Sequence, residues 1–227
     1  EWTQLGNTIY GDGDGDLLGA RISMNYLGNI ISVSSTLYGQ NFGLVRNYSW
    51  DGSSWNQMGN DILGSSDSIP TGLSVSLNGE GDILAVMRKK TEYKRSVIVY
   101  QYNGSQWSQL GNDIDGVEEA FIVNNNSSSI SLNKDGNVLI VGFPESNNLR
   151  GKIICYEWDG NSWNEFEDDI LGEQNEEQSG SRVSINNDGT IVGISSPNFN
   201  QNMGQVRVGR INKLGKNDNN IMFKFFE

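Results

Sequence analysis

An eight-residue phrase, Trp-x-Gln-hydrophobic-Gly-Asn-Asp-Ile, is written four times in this chain. The copies are Trp2–Ile9, Trp55–Ile62, Trp107–Ile114 and Trp163–Ile170, the last diverging to Trp-Asn-Glu-Phe-Glu-Asp-Asp-Ile. Their starts lie 53, 52 and 56 residues apart. A period of about 40–50 residues built of strands points to a repeat β architecture, above all a propeller. The repeat constrains the fold. It does not name a ligand.

Each unit resolves into strand-length apolar runs bounded by Gly, Asn and Asp. Run A is 20–24, 73–77, 128–132 and 181–185; run B is 30–34, 83–87, 138–142 and 191–195; run C is 44–50, 97–102, 152–158 and 205–211. Run D is the Trp phrase. Asn78-Gly-Glu-Gly-Asp82 and Asn133-Lys-Asp-Gly-Asn137 join A to B, and Asp51-Gly, Asn103-Gly and Asp159-Gly join C to D. Such pairs tolerate positive φ in tight hairpin turns, so A to D reads as a four-stranded antiparallel meander, one blade. No segment has a helical period. Ile22, Val75, Ile130 and Val183 form one apolar column of run A, and Met24, Leu77, Leu132 and Ile185 another, with Ser23, Ser76, Ser131 and Ser184 between them. Run C is apolar on both faces, as a blade between two neighbours requires. Residues 1–227 therefore read as one all-β domain, a propeller of four four-stranded antiparallel blades, with a larger propeller as the extension of that reading. Two segments compete to close the ring on Gln205–Ile211, Trp2–Gly6 and Ile221–Phe226, and if the second takes the slot Trp2–Gly6 becomes a spare strand.

Composition removes whole classes of chemistry. The chain has no histidine and one cysteine, Cys155. Histidine-based acid–base catalysis, Ser-His and Cys-His nucleophiles, histidine-ligated zinc and intrachain disulfides are excluded. Cys155 shares a column with Val99 and Val208 and reads as a small buried hydrophobe. A net charge of −12 argues against nucleic acid and against anionic lipid. No run reaches the length of a membrane-spanning helix, so no membrane insertion is expected. The chain opens at Glu1 with no leader-like stretch, which reads as a processed product or part of something longer.

The Trp-x-Gln-Leu-Gly-Asn-Asp-Ile phrase, Ser-Val-Ser-Leu-Asn at 74–78 and Leu139-Ile-Val-Gly-Phe-Pro144 together carry a resemblance. The chain is similar to propeller-like repeats of large surface or secreted proteins of marine bacteria, algae and giant viruses. These are distantly similar to integrin-α FG-GAP repeats. The resemblance implies a propeller in an adhesive or structural setting and implies no reaction. FG-GAP repeats often bind calcium in the A–B hairpin, but here those hairpins offer at most Glu80 and Asp82, too few oxygens for calcium.

The remaining candidates lie in loops. Asp12, Asp14 and Asp16 alternate with glycines and form the candidate metal loop, with calcium as its ion and a solvated acidic loop as the simpler reading. Arg88, Lys89, Lys90, Lys94 and Arg95 form a basic cluster, a candidate docking patch for an acidic neighbour. Asn103, Asn125 and Asn126 begin glycosylation sequons. The serine column reads as a packing need where inner strands converge, and the tryptophans as packing between blades. The function expected is a non-enzymatic structural or protein-interaction module on a cell, extracellular or virion surface, partnered by neighbouring subunits or surface proteins. A calcium-dependent glycan-binding lectin is the alternative.

Overall fold

The computed structural model describes residues 1–64, 70–91, 94–116 and 128–211. It is all β, apart from single helical turns. The first unit contains β1 (Leu18–Met24), β2 (Ile30–Ser35) and β3 (Leu44–Trp50), with an outer strand broken into β4 (Trp55–Gln57) and β5 (Ile62–Leu63). The second contains β6 (Thr71–Leu77), β7 (Ile83–Thr91), β8 (Lys94–Tyr102), β9 (Trp107–Gln109) and β10 (Ile114–Asp115). The third contains β11 (Ser129–Leu132), β12 (Val138–Phe143), β13 (Lys152–Trp158), β14 (Trp163–Glu165) and β15 (Ile170–Leu171). The fourth stops at three strands: β16 (Arg182–Ile185), β17 (Ile191–Ser196) and β18 (Gln205–Arg210). Every pairing within these sheets is antiparallel, so the four runs are the four strand positions of a blade.

The break in the outer strand explains the phrase. Trp55 faces Trp50 and Gln57 faces Tyr48, while Ile62 faces Val45, so residues 58–61 bulge opposite Arg46 and Asn47. The Gln57 amide spans the bulge, donating to Gly59 O at 3.2 Å and Asp61 Oδ1 at 2.8 Å. Gln109 does the same to Gly111 O and Asp113 Oδ1. The glycine is required twice over. Gly59 and Gly111 have φ of 78° and 77°, and a Cβ there would meet Trp107 at 2.9 Å and Trp158 at 2.6 Å. These rings belong to the following unit, so each outer strand leans on the next blade. In the third unit Glu167 replaces the glycine, and the fourth unit has Ile211 where the others have Trp50, Tyr102 and Trp158.

The core is a stack of layers between blades. Val45 and Ile62 of the first unit pack with Val75, Leu77, Val86 and Trp107 of the second. Met87, Val97 and Val99 of the second pack with Ile130, Leu132 and Tyr156 of the third. Ile153, Cys155 and Ile170 of the third pack with Val183 and Ile194 of the fourth. The burial of Cys155 in this last layer accords with its reading as a hydrophobe.

The hairpins and inner strands add polar stitching. A buried asparagine opens each of the first three A–B turns, and its Oδ1 accepts backbone N–H groups across the turn: Asn25 from Ile30, Asn78 from Gly81 and Ile83, Asn133 from Val138. Adjacent turns are linked by Tyr26 N–H to Gly79 O, Gly79 N–H to Lys134 O and Lys134 N–H to Asn187 O. The B–C loops hold single turns, α1 (Tyr38–Asn41), α2 (Ser146–Leu149) and α3 (Phe199–Asn202), which no periodicity signalled. In α2 the residues Asn147 and Asn148 have φ of 53° and 58°, a left-handed excursion that asparagine tolerates.

The expected closure is corrected by the structure. Trp2–Gly6 forms no strand, and β18 pairs only with β17. Among the described residues the blades therefore do not close. Ile221–Phe226 lies outside the described residues.

Candidate functional site

The inner strands converge on a cavity of about 400 Å³ lined from all four units, by Arg21, Ile22, Ser74, Ser129, Ile130 and Arg182 among others. Arg21, Ser74, Ser129 and Arg182 occupy one column, directly before the apolar column that begins at Ile22. Sequence reasoning treated the inner columns as apolar or serine and passed over these two arginines. The signal was a charged residue at the same position in the first and last copies. Arg21 donates from Nε to Leu73 O at 3.0 Å. Burial, and then the charge of Arg182, draw the Arg21 guanidinium below its ordinary range, which places the two cations on one pit. Guanidinium and hydroxyl groups offer hydrogen bonds there. Among the described lining residues no group is suited to remove a proton.

The serines do more than fill narrow space. Leu77 N–H donates to Ser23 Oγ at 2.9 Å, Leu132 N–H to Ser76 Oγ at 2.9 Å, and Ile185 N–H to Ser131 Oγ at 3.2 Å. Ser74 and Ser129 accept from Ile130 and Val183 in the same way. Each hydroxyl satisfies an inner-strand N–H of the next blade, where no fifth strand can reach. This is a positive requirement for an acceptor at these positions.

The candidate metal loop does not assemble. Asp12 turns to Arg46, with 2.7 Å between Arg46 Nη2 and Asp12 Oδ2, while Asp16 Oδ2 accepts the Gly13 N–H at 2.8 Å. Among the described residues no group of three or more acidic, histidine or cysteine side chains is placed to hold a metal. Arg46 also pairs with Asp61 at 2.8 Å, so it is shared between the two carboxylates. Its charge and hydrogen bond hold both carboxyls below the usual carboxylate range.

The basic cluster is also engaged inside the chain. Arg88 pairs with Asp113 at 2.5 Å, and Lys90 and Lys94 with Asp115 at 2.5 and 3.5 Å. Arg95 is buried, with Nη1 donating to Glu145 Oε2 at 2.8 Å and to Ser128 Oγ, so it ties the second unit to the third and leaves the candidate patch. Lys89 has no ion pair among the described residues. Asn103 is exposed, and its Oδ1 accepts N–H bonds from Ser105 and Gln106. Asn125 and Asn126 lie outside the described residues.

The tryptophans are structural at their polar ends. Trp107 Nε1 donates to Met58 O at 2.9 Å across the blade boundary, and Trp55 Nε1 to Leu5 O at 3.1 Å. Trp50–Trp55, Tyr102–Trp107 and Trp158–Trp163 form tilted ring pairs with centroids 5.3 to 5.5 Å apart.

The two end blades leave exposed the apolar columns that the middle blades bury. Ile22 and Met24 of β1 are 64% and 55% exposed, although Val75, Leu77, Ile130 and Leu132 in the same columns are buried. Val206 and Val208 of β18 are 72% and 53% exposed, although Val45, Val97, Val99 and Ile153 in their columns are buried. The first face is built to meet a preceding blade and the second a following one.

No protein-family model and no curated protein matches the chain. Solved structures do resemble it. TolB from Acinetobacter baumannii aligns over 90% of this chain and 42% of its own, with a TM-score of 0.53 and 12% identity. The periplasmic gluconolactonase of Pseudomonas aeruginosa aligns over 92% of this chain and 56% of its own, with a TM-score of 0.61 and 13% identity. Sqt1 from Chaetomium thermophilum aligns over 87% and 45%, with a TM-score of 0.54 and 16% identity. The chain thus spans about half the length of these propellers and shares their fold of radial antiparallel blades.

Proposed function

We propose that this chain is a non-enzymatic protein-interaction module, working through its end blades as a structural element of a cell, extracellular or virion surface. The carrying observation is the pair of uncovered faces, Ile22 with Met24 and Val206 with Val208. These side chains belong to the columns that elsewhere make blade-to-blade contact, so the surface that fits them is another protein blade. The resemblance to surface-protein repeats supports the setting. The absence of histidine and the arginine–serine lining of the central pit support a role without bond chemistry.

Replacing Val206 and Val208 with Asp tests this. Both are exposed, so the melting temperature is expected to stay within about 2 °C, the change typical of a surface substitution. Association with blade-bearing protein, its own or another, is expected to disappear. Association unchanged in this variant, together with specific hits on a glycan array in calcium or turnover of a lactone, would replace the proposal with a lectin or an enzyme.

A further inference from the structure

We propose that the partner is a second copy of this chain, bound head to tail, whose Trp2–Ile9 segment supplies an outer strand to β18, which pairs only with β17 among the described residues. The inference rests on the interaction reading above and names its partner. Its basis is that each chain carries both halves of one blade boundary, and the two halves do not meet among the described residues.

The first half is an outer strand with no blade of its own. Trp2–Ile9 keeps the internal bonds of the phrase: Gln4 Nε2 donates to Gly6 O and Thr8 Oγ1, each at 3.2 Å. It is seated on the first unit as later outer strands are seated on theirs. Leu5 O accepts from Trp55 as Met58 O accepts from Trp107. Gly6, at φ 68°, lies under Trp50, where a Cβ would stand 2.6 Å from the ring. Ile9 packs against the cluster of Ile31, Val33 and Tyr48. The segment is therefore docked on the following blade, while Trp2 itself is 85% exposed and pairs with no strand.

The second half is a blade whose described residues include no outer strand. β18 presents its free edge after Gln205–Arg210. Carrying over the register of β3 against β4 and β5 places Thr3 opposite Arg210, Gln4 opposite Gly209 and Ile9 opposite Val206. The same superposition sets Val206 on Ile22 and Met24, as Val45 is set in one layer with Val75 and Leu77. Ser184 Oγ then receives the Met24 N–H, continuing the series begun by Ser23, Ser76 and Ser131. The interface is heterologous: the surface at one end meets a different surface at the other. Two such contacts close a ring of two copies, which carries about as much chain as the solved propellers that one copy half-covers.

Sedimentation equilibrium at high micromolar concentration is the first measurement, with an expected mass of twice 25.1 kDa. Met24→Asp blocks one end and Val208→Asp the other. Each variant alone is expected to be monomeric, with self-association weakened at least about a hundredfold. Mixed one to one, the two variants are expected to form a heterodimer through their remaining sound ends. Gln4→Cys combined with Gly209→Cys is expected to give a disulfide between chains on a non-reducing gel, with buried Cys155 as a silent bystander. A monomer whose disulfide forms within one chain overturns the proposal in favour of self-closure. A monomer with no disulfide, or a dimer indifferent to both Asp variants, also overturns it. If the wild-type chain is monomeric and Val208→Asp abolishes binding to a different blade protein, the interaction reading stands and only this inference falls.

Discussion

Trp107 shows what a single residue does in this repeat. Its ring is buried in the layer between the first two units, and its indole N–H bonds the first unit from the second. Trp107→Ala removes a large aromatic and leaves Met58 O without its donor. The expected cost is about 3–5 kcal/mol in a denaturant melt; a loss under about 1 kcal/mol would mark it as a surface residue. Arg95 and Glu145 make the second residue-scale case. Both are buried, and each neutralises the other. Glu145→Ala strands a buried guanidinium and is expected to cost about 3–5 kcal/mol, whereas the double change Arg95→Met, Glu145→Leu recovers most of the loss. Equal losses in the single and double variants would show that charge isolation is not the cause.

At the scale of elements, the outer strand is the part most dependent on its neighbour. Gly111→Ala forces a left-handed backbone on a residue with a Cβ and drives that carbon into Trp158. The expected loss is about 2–3 kcal/mol by urea titration; no loss would mean that the bulge relaxes freely. The strands themselves were legible in the sequence, because period-2 apolar columns and Asn-Gly or Asp-Gly turns are local signals. The bulge was hidden, since its cause, a ring from the next unit, lies about fifty residues away in the chain. Arg21 and Arg182 were hidden for another reason. They lie 161 residues apart in the chain, and only the convergence of four inner strands brings them to one pit. In the aspartate loop the Asp-Gly alternation is local and legible, whereas the pairing of Asp12 with Arg46, thirty-four residues on, is not. The partners of the basic run, Asp113, Asp115 and Glu145, were likewise hidden, because they meet it only in the folded chain.

For the whole molecule, the titratable groups set a pH window. Arg46 holds Asp12 and Asp61 below their ordinary 3.8. Their folded pKa values are lower than the unfolded ones, so their stabilisation is complete above 3.8 and is lost as pH falls through the folded values. Burial first, then the charges of Glu167 and Asp169, push the Cys155 thiol up to about 12 from its ordinary 9.0. The unfolded thiol ionises first, so that contribution is whole below 9.0 and drains as pH rises toward 12. With no histidine, nothing of this kind titrates near neutrality. The melting temperature is expected to be flat between about pH 5 and 8 and to fall on either side. A step near pH 6.5 would contradict this assignment of charges.

The way each outer strand leans on the following blade also sets the terms on which such a gene can change length. The C–D turns after Trp50 and Tyr102 are interchangeable, since Trp55 and Trp107 begin equivalent strands from equivalent hairpins. Excising residues 55–106 therefore joins Ser54 directly to Trp107 and sets the first unit against the third, with Gly111 as the docking glycine and Trp158–Trp163 as the receiving ring pair. Unequal recombination at that seam adds or drops whole units without any change in the joints. The shortened chain is expected to fold with the same circular-dichroism signature and a lower melting temperature, one layer having gone. A scrambled spectrum would show that the units are not exchangeable.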